Sequence, residues 1–549
     1  MTATLSEEQP LSPLLIPVAS ALLCILGLYG FLLLQGLPQQ WTEALHTAAQ
    51  SVPEEAVELH KHDSTEDRPP IFMVTPFVVL ILCIASLPLI PAAARWWESN
   101  VNKFFVAASL GTLTLLYYAL LCDFPVHPHF PGQKMVHSAG TGGYEVVKTV
   151  FINAVVCDFL PFIILLFVLF TIAGGIRITS NIRATPWVNS VILVIGSLLA
   201  SFIGTTGAAV LLIRPLLDMN KGRTSVAHTV ILFIFCVCNC GGCLTPLGDP
   251  PLFLGYLRGV EFFWTLYALS IPWLFVNGFL IFFYFLWDTL WFYRRESREY
   301  RQKKTEPTSF SLSGWKWNGL LLLGVVAAVA LLDPGMTVPG TNWSPWYFLR
   351  EAVQLGLAAM SLLFSKNAVR KANAFNFVPI GEVMALFFGI FLCLQPLLQI
   401  LDKEGEKFVA SSERLANIDK PQLFFWVSGS LSSVLDNAPT YIVFFETAKV
   451  LSPKTDEERQ AWREKEGREF DPVPLKGGKA GFIDHFLLVA VALGSVFGGA
   501  MTYIGNGPNF MVKAIAERSG VKMPCFFGYM VYSGLILLPL FVLITLIFL

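Results

Sequence analysis

Apolar runs long enough to cross a lipid bilayer recur from one end of the sequence to the other, and this limits the fold more than any other feature. They lie near 12–34, 71–93, 104–122, 156–176, 187–214, 226–247, 262–293, 317–332, 351–365, 380–401, 422–448, 483–513 and 524–549. A helix needs about 20 such residues to cross roughly 30 Å of hydrocarbon. The expected fold is an all-α polytopic membrane protein with about 11–13 transmembrane segments, some of them broken helices or re-entrant hairpins. Composition agrees, because 54% of the 549 residues are hydrophobic and only 14% are charged, too apolar for a soluble chain of this length. The expected surroundings are lipid. A formal net charge of −1 gives no basic excess for nucleic acid.

The first run follows Glu7 and Glu8 with no Lys or Arg before it, so it reads as a retained span and not a cleaved leader. Arg294, Arg295, Arg298, Arg301, Lys303 and Lys304 mark one loop as cytoplasmic. Loop 333–349, with Asp333 as its only charge, fits the opposite side, and Lys366, Arg370 and Lys371 bring the chain back. Loop 36–70, with His46, His60 and His62, reads as external. The longest hydrophilic stretch, 449–482, reads as a solvated helical loop, with mixed charges that include Lys454, Arg463 and Arg468.

Within this frame the chain repeats itself. Gly241-Gly242-Cys243-Leu244-Thr245-Pro246-Leu247-Gly248-Asp249-Pro250-Pro251 aligns without gaps to Gly498-Gly499-Ala500-Met501-Thr502-Tyr503-Ile504-Gly505-Asn506-Gly507-Pro508, and the five identities are all Gly, Thr or Pro. Upstream of each copy lies a second interruption, Ser201 to Gly207 and Ser432 to Thr440, in the same order. Gly, Pro and polar side chains at mid-span break a helix and free backbone amides and carbonyls, which is costly unless the break lines a cavity. Paired breaks at corresponding places in two halves point to a transporter whose ligand sits between broken helices near the midplane. The two halves are expected to be inverted relative to each other.

An Asp at bilayer depth costs about 2.5–3.5 kcal/mol unless it faces a cavity or a partner. Asp249 and Asp436 each lie inside a break. A carboxylate beside freed carbonyls suits a small hard cation such as Na+, and it can hold a proton instead. Each Asp can also simply cap a half-helix. Thr205, Thr206, Thr245, Ser432, Ser433, Asn437, Thr440, Thr502, Asn506 and Asn509, with Gly248 and Gly505 beside them, surround these acids with neutral donors and acceptors. Half-helix amino termini also favour an anion, which keeps a carboxylate substrate open.

Asp158, Glu382, Glu446 and Asp484 open or close apolar spans and read as headgroup-level residues. The run Cys236, Cys238, Cys240 and Cys243 reads as packing within an apolar span, and His127 with His129 as a loop pair. Gly-x-Ser-x-Gly, Walker and His-Glu-x-x-His signatures are missing, so neither an enzyme nor a nucleotide-driven pump is expected.

At Leu435-Asp436-Asn437-Ala438-Pro439-Thr440 and Thr245-Pro246-Leu247-Gly248-Asp249 the sequence resembles the ion transporter superfamily. That group takes in arsenite permeases, NhaD-type sodium/proton antiporters, citrate transporters and dicarboxylate symporters, and the resemblance covers about 150–515. It implies two inverted repeats, each with a re-entrant hairpin and a discontinuous helix, a homodimer, and elevator-like movement. The hairpin tips then fall at Thr205-Thr206 and Asp436-Asn437, and the helix breaks at Thr245 to Asp249 and Thr502 to Asn506. NhaD-type members are similar in having Asp at both acidic positions, whereas carboxylate symporters of the group carry neutral tips. Gly204-Thr205-Thr206-Gly207 departs from a cation tip, and Asn506-Gly507-Pro508-Asn509 suits a carboxylate.

The expected divisions are 1–149 (first helices and external loop), 150–260 (first transport repeat), 261–374 (connecting scaffold), 375–515 (second transport repeat) and 516–549 (last helix). The expected activity is Na+/H+ exchange across a bacterial inner membrane with no resident cofactor, Na+ binding at Asp436 and Asp249. The alternative is a carrier for citrate or another carboxylate coupled to Na+ or H+.

Overall fold

The computed structural model describes residues 15–50, 68–133, 135–136, 143–302, 309–338, 340–410, 420–453, 456–466, 469–476 and 481–549. Glu7, Glu8, His60, His62, Lys303, Lys304, Lys454 and Arg468 lie outside them. The chain is an all-α integral membrane protein. Its sheet among the described residues consists of two short two-stranded ladders, Arg177–Ser180 with Phe310–Ser313 and Pro472–Pro474 with Phe482–Asp484.

Among the described residues, seven helices are long and apolar enough to span a bilayer. The pair Ile71–Ser86 and Pro91–Trp97, bent by 105°, makes eight if counted as one span. The shorter apolar helices Ala227–Cys243, Trp315–Leu331 and His485–Met501 stand beside them, in keeping with apolar segments of which some are broken or re-entrant. Several of the apolar runs are not single helices. Run 187–214 divides at Gly204 into Pro186–Ile203 and Thr205–Met219. Gly204 has φ +80°, a conformation that costs a residue with a Cβ. Asn189 and Asn220, near the open ends of the two arms, exchange side-chain hydrogen bonds at 3.0 and 2.9 Å, so the chain enters and leaves on one side.

Run 422–448 likewise divides into Lys420–Ser432 and Asn437–Leu451, with the Phe424 and Phe444 rings 5.7 Å apart across the arms. Runs 226–247 and 483–513 are each interrupted: Ala227–Val237 and Pro250–Leu257 flank one break, His485–Gly498 and Gly507–Arg518 the other. Prolines stand in the first turn after each break, where the absent N–H has no helical partner to lose. Charged segment Asp456–Glu466 is helical, as its pattern predicts.

The open end of the first hairpin is fastened to the basic loop. Arg183 donates to Tyr293 at 3.1 Å and Tyr300 to the Ala184 carbonyl at 3.2 Å. Arg223 pairs with Asp288, whose carboxylate also takes the Tyr284 hydroxyl at 3.1 Å and sits 3.0 Å from His228 Nε2. The far end of the second hairpin lies elsewhere, where Glu446 meets Arg258 and Ser452 takes the Asp484 amide at 2.8 Å.

Candidate functional site

Each interruption delivers one polar side chain to a common centre. Asp249 ends the first helix break and is 1% exposed. Thr205, at the first hairpin tip, donates to its Oδ1 at 3.1 Å, and Asn506, in the second helix break, donates to the same oxygen at 3.2 Å. Asn437, at the second hairpin tip, donates to Oδ2 at 2.6 Å. Four breaks spread over more than 300 residues of sequence thus converge on one carboxylate. None of its hydrogen-bond donors is a cation.

The backbone around the centre explains why these residue types recur. Thr245 donates to the Ser201 carbonyl and accepts from Leu247 N at 3.2 Å. Its counterpart Thr502 donates to the Ser433 carbonyl at 2.5 Å and accepts from Ile504 N and Gly505 N at 3.2 and 3.1 Å. In the same way Ser201 donates to Gly241 O at 2.5 Å and Ser432 to Ser495 O at 2.6 Å. These hydroxyls satisfy amides and carbonyls that an unbroken helix would pair internally. Gly248 and Gly505 permit the close approach: a Cβ at Gly248 would lie 2.0 Å from the Gly242 oxygen, and one at Gly505 2.7 Å from the Gly499 oxygen.

Not every predicted site residue reaches the centre. Asp436 is half-buried and caps its own helix, accepting from Ala438 N at 3.2 Å. It is not bonded to the Asp249 cluster. Asp249 does the reverse: it occupies the N-cap position of Pro250–Leu257, yet its side chain makes no cap bond and turns to the cluster. Thr440 donates to Asp436 O at 3.2 Å and Ser433 to Ser430 O at 2.6 Å, both within their own hairpin. Thr206 is half-buried beside Thr205.

One residue of the centre was passed over because it lies inside the cysteine run. Asn239 donates to Asn509 Oδ1 at 2.8 Å and to Ile234 O at 2.9 Å, while Asn509 donates to the Gly499 and Thr502 carbonyls at 2.8 and 3.0 Å. Backbone carbonyls therefore fix both amide orientations. A buried polar side chain at mid-span was the signal that could have found it. The thiols of Cys236, Cys238, Cys240 and Cys243 are all buried, and no group of three or more His, Cys, Asp or Glu side chains among the described residues is placed to hold a metal.

The amide oxygens of Asn239 and Asn437 are buried and accept no hydrogen bond from any described residue. A buried acceptor left without a donor costs about 1–3 kcal/mol, and the Asn437 oxygen belongs to the same amide that donates to Asp249.

The remaining intramembrane acids are paired. Glu382 accepts from Lys103 at 2.6 Å, and Asp484 caps His485–Gly498 through Leu487 N at 3.1 Å. Asp158 and Glu446 share Arg258, at 3.2 and 2.6 Å. All three line a cavity of about 620 Å³ with Tyr256, Arg350 and Glu351. Arg258 was not foreseen.

Residues 66–549 match the family described as "Putative citrate transport". The chain belongs to this family. No curated protein matches it in sequence. Membership in a transport family agrees with the paired breaks and makes secondary transport the general activity.

Proposed function

We propose that the chain is a cation-coupled secondary transporter of the cell membrane, read as a bacterial inner membrane, that exchanges Na+ for H+ at Asp249. The observation that carries this reading is the single buried carboxylate on which all four breaks converge, with the unpartnered oxygen of Asn437 beside it. An ionised carboxylate offers about four acceptor positions, and Asp249 has three neutral donors. That leaves a position, and a net negative charge, for a small hard cation held with the Asn437 oxygen. A proton on Asp249 removes the same charge, so the two compete. Asp436 is the second acid, at the hairpin tip that carries Asn437.

The hairpins bear on how the site alternates. One is fastened at its open end to the basic loop and the other opens near Glu446, which supports an inverted pair of repeats with elevator-like movement of 150–260 and 375–515 in a homodimer. A second reading, a carrier for citrate or another carboxylate, is favoured by the family's description. In it Asp249 holds the coupling cation.

Purified protein in liposomes containing a pH-sensitive dye tests both. Proton movement on adding Na+ or Li+ alone, lost in Asp249→Asn, is expected. No signal until citrate is added would overturn exchange in favour of the carboxylate carrier.

A further inference from the structure

Helices Pro250–Leu257 and Asn437–Leu451 meet at three places along their length. Their near ends meet at the Asp249–Asn437 bond of 2.6 Å. Midway, Gly255 packs so closely on Tyr441 that a Cβ there would lie 2.2 Å from the Tyr441 hydroxyl. Their far ends meet where Arg258 donates to Glu446, also at 2.6 Å. Toward the helix that carries Asp158 the situation differs. Pro250–Leu257 touches Leu160–Ala173 only sparsely, and the 620 Å³ cavity opens between them. A polar tie across that gap is the longer Arg258–Asp158 pair at 3.2 Å.

The solvation of this pair also sets it apart. Arg223 and Asp288 are both fully buried, and separating such a pair leaves uncompensated charges in a low-dielectric interior. The Arg258 and Asp158 side chains are 11% and 6% exposed and line a cavity, from which water can reach either partner when they part. The cavity is on the side of Asp333 and away from the basic loop.

We propose that Arg258 is a positioning residue for transport: it stays clasped to Glu446 while its ion pair with Asp158 opens and re-forms in every cycle, gating the cavity that they line. This rests on the transport reading above, but not on which solute is moved. The far end of the ion-binding unit is thereby held against its neighbour in one state and released in the next.

The test uses full-length protein in liposomes, with Cys157 replaced by Ser, and flux of whichever solute the wild type moves. Asp158→Cys with Arg258→Cys is bridged by a reducible bifunctional thiosulfonate; Arg258→Cys with Glu446→Cys is the control. The bridge across 158 and 258 should cut that variant's flux at least tenfold and release it on reduction, whereas the control bridge leaves flux unchanged. Unchanged flux in both refutes the gate, as does equal loss in both.

A second measurement covers variants that do not transport, and also the case in which the wild type moves neither Na+ nor citrate. Cys157 lines the same cavity. A water-soluble maleimide added to detergent-solubilised protein should label it at least tenfold faster in Asp158→Asn than in the otherwise native chain, and no faster in Glu382→Gln. Equal rates in Asp158→Asn and the native chain would refute the gate independently of any flux.

Discussion

The two glycine-rich breaks have the same backbone plan and opposite polarity at one aligned position. Asp249 stands in the first and Asn506 in the second, both at the N-cap of a half-helix and both without a side-chain cap bond. They meet, the amide donating to the carboxylate at 3.2 Å. Near-symmetry of the breaks thus brings two equivalent positions together, and two carboxylates there would repel each other in a low-dielectric site. One acid and one amide give a single titratable charge with a built-in donor. The difference teaches that the repeated backbone builds the cavity, while the asymmetric side chains decide what it holds.

The comparison is most directly broken at its acid. Asp249→Asn keeps the shape and removes the charge, and is expected to lower ion-driven flux by at least about a hundredfold, roughly 2.7 kcal/mol of lost coupling, with little change in melting temperature. Retained flux would move the ion site away from the convergence of the breaks. Next comes the shared backbone. Gly248→Ala places a methyl group against the Gly242 carbonyl and Gly505→Ala against those of Gly499 and Ser432. Overpacking of this kind costs about 1–3 kcal/mol. Both should melt earlier in detergent, Gly248→Ala by the larger margin because its contact is closer; the reverse order would mean that the second break is the more rigid.

A subtler change sharpens the comparison. The exchange Asp249→Asn with Asn506→Asp should recover flux to within about tenfold of wild type, if the charge matters more than the half that carries it. Flux as low as in Asp249→Asn alone would assign the effect to the surroundings of Asp249, Thr205 and Asn437 above all. The smallest effect is expected at the other acid. Asn caps a helix about as well as Asp, so Asp436→Asn should alter flux by no more than about threefold. Loss as large as at Asp249 would make the two carboxylates equal partners in holding the ion.

The breaks were legible in the sequence because their demands are local. A backbone that passes within van der Waals distance of another can be met only by Gly, and freed amides can be met by Thr and Ser at fixed offsets, so Gly248, Gly505, Thr245 and Thr502 stand out without a structure. Which side chains meet was not legible. Asp249 and Asp436 look alike in sequence, yet one turns into the cluster and the other caps its own helix, a choice set by packing between segments far apart in the chain. Arg258 was missed for the same reason: its partners, Asp158 and Glu446, lie 100 and 188 residues away. Hydropathy alone does not tell a hairpin from a single helix of equal apolar content, as at 187–214.

The segment Ile152–Phe159 winds as a π-helix between two α-helical stretches. Asn153 and Asp158 are five residues apart, and at about 100° per residue an α-helix would point them in different directions. Bonds from i to i+5 bring them onto one face, where Asp158 meets Arg258 and Asn153 holds the His127 carbonyl and the His129 amide, each at 2.8 Å. In terms of chain length, the helix carries one residue more than an α-helix of the same rise. With one residue fewer between them the two would stand four apart, on one face of an ordinary α-helix, so the π winding takes up the extra residue without turning either contact away.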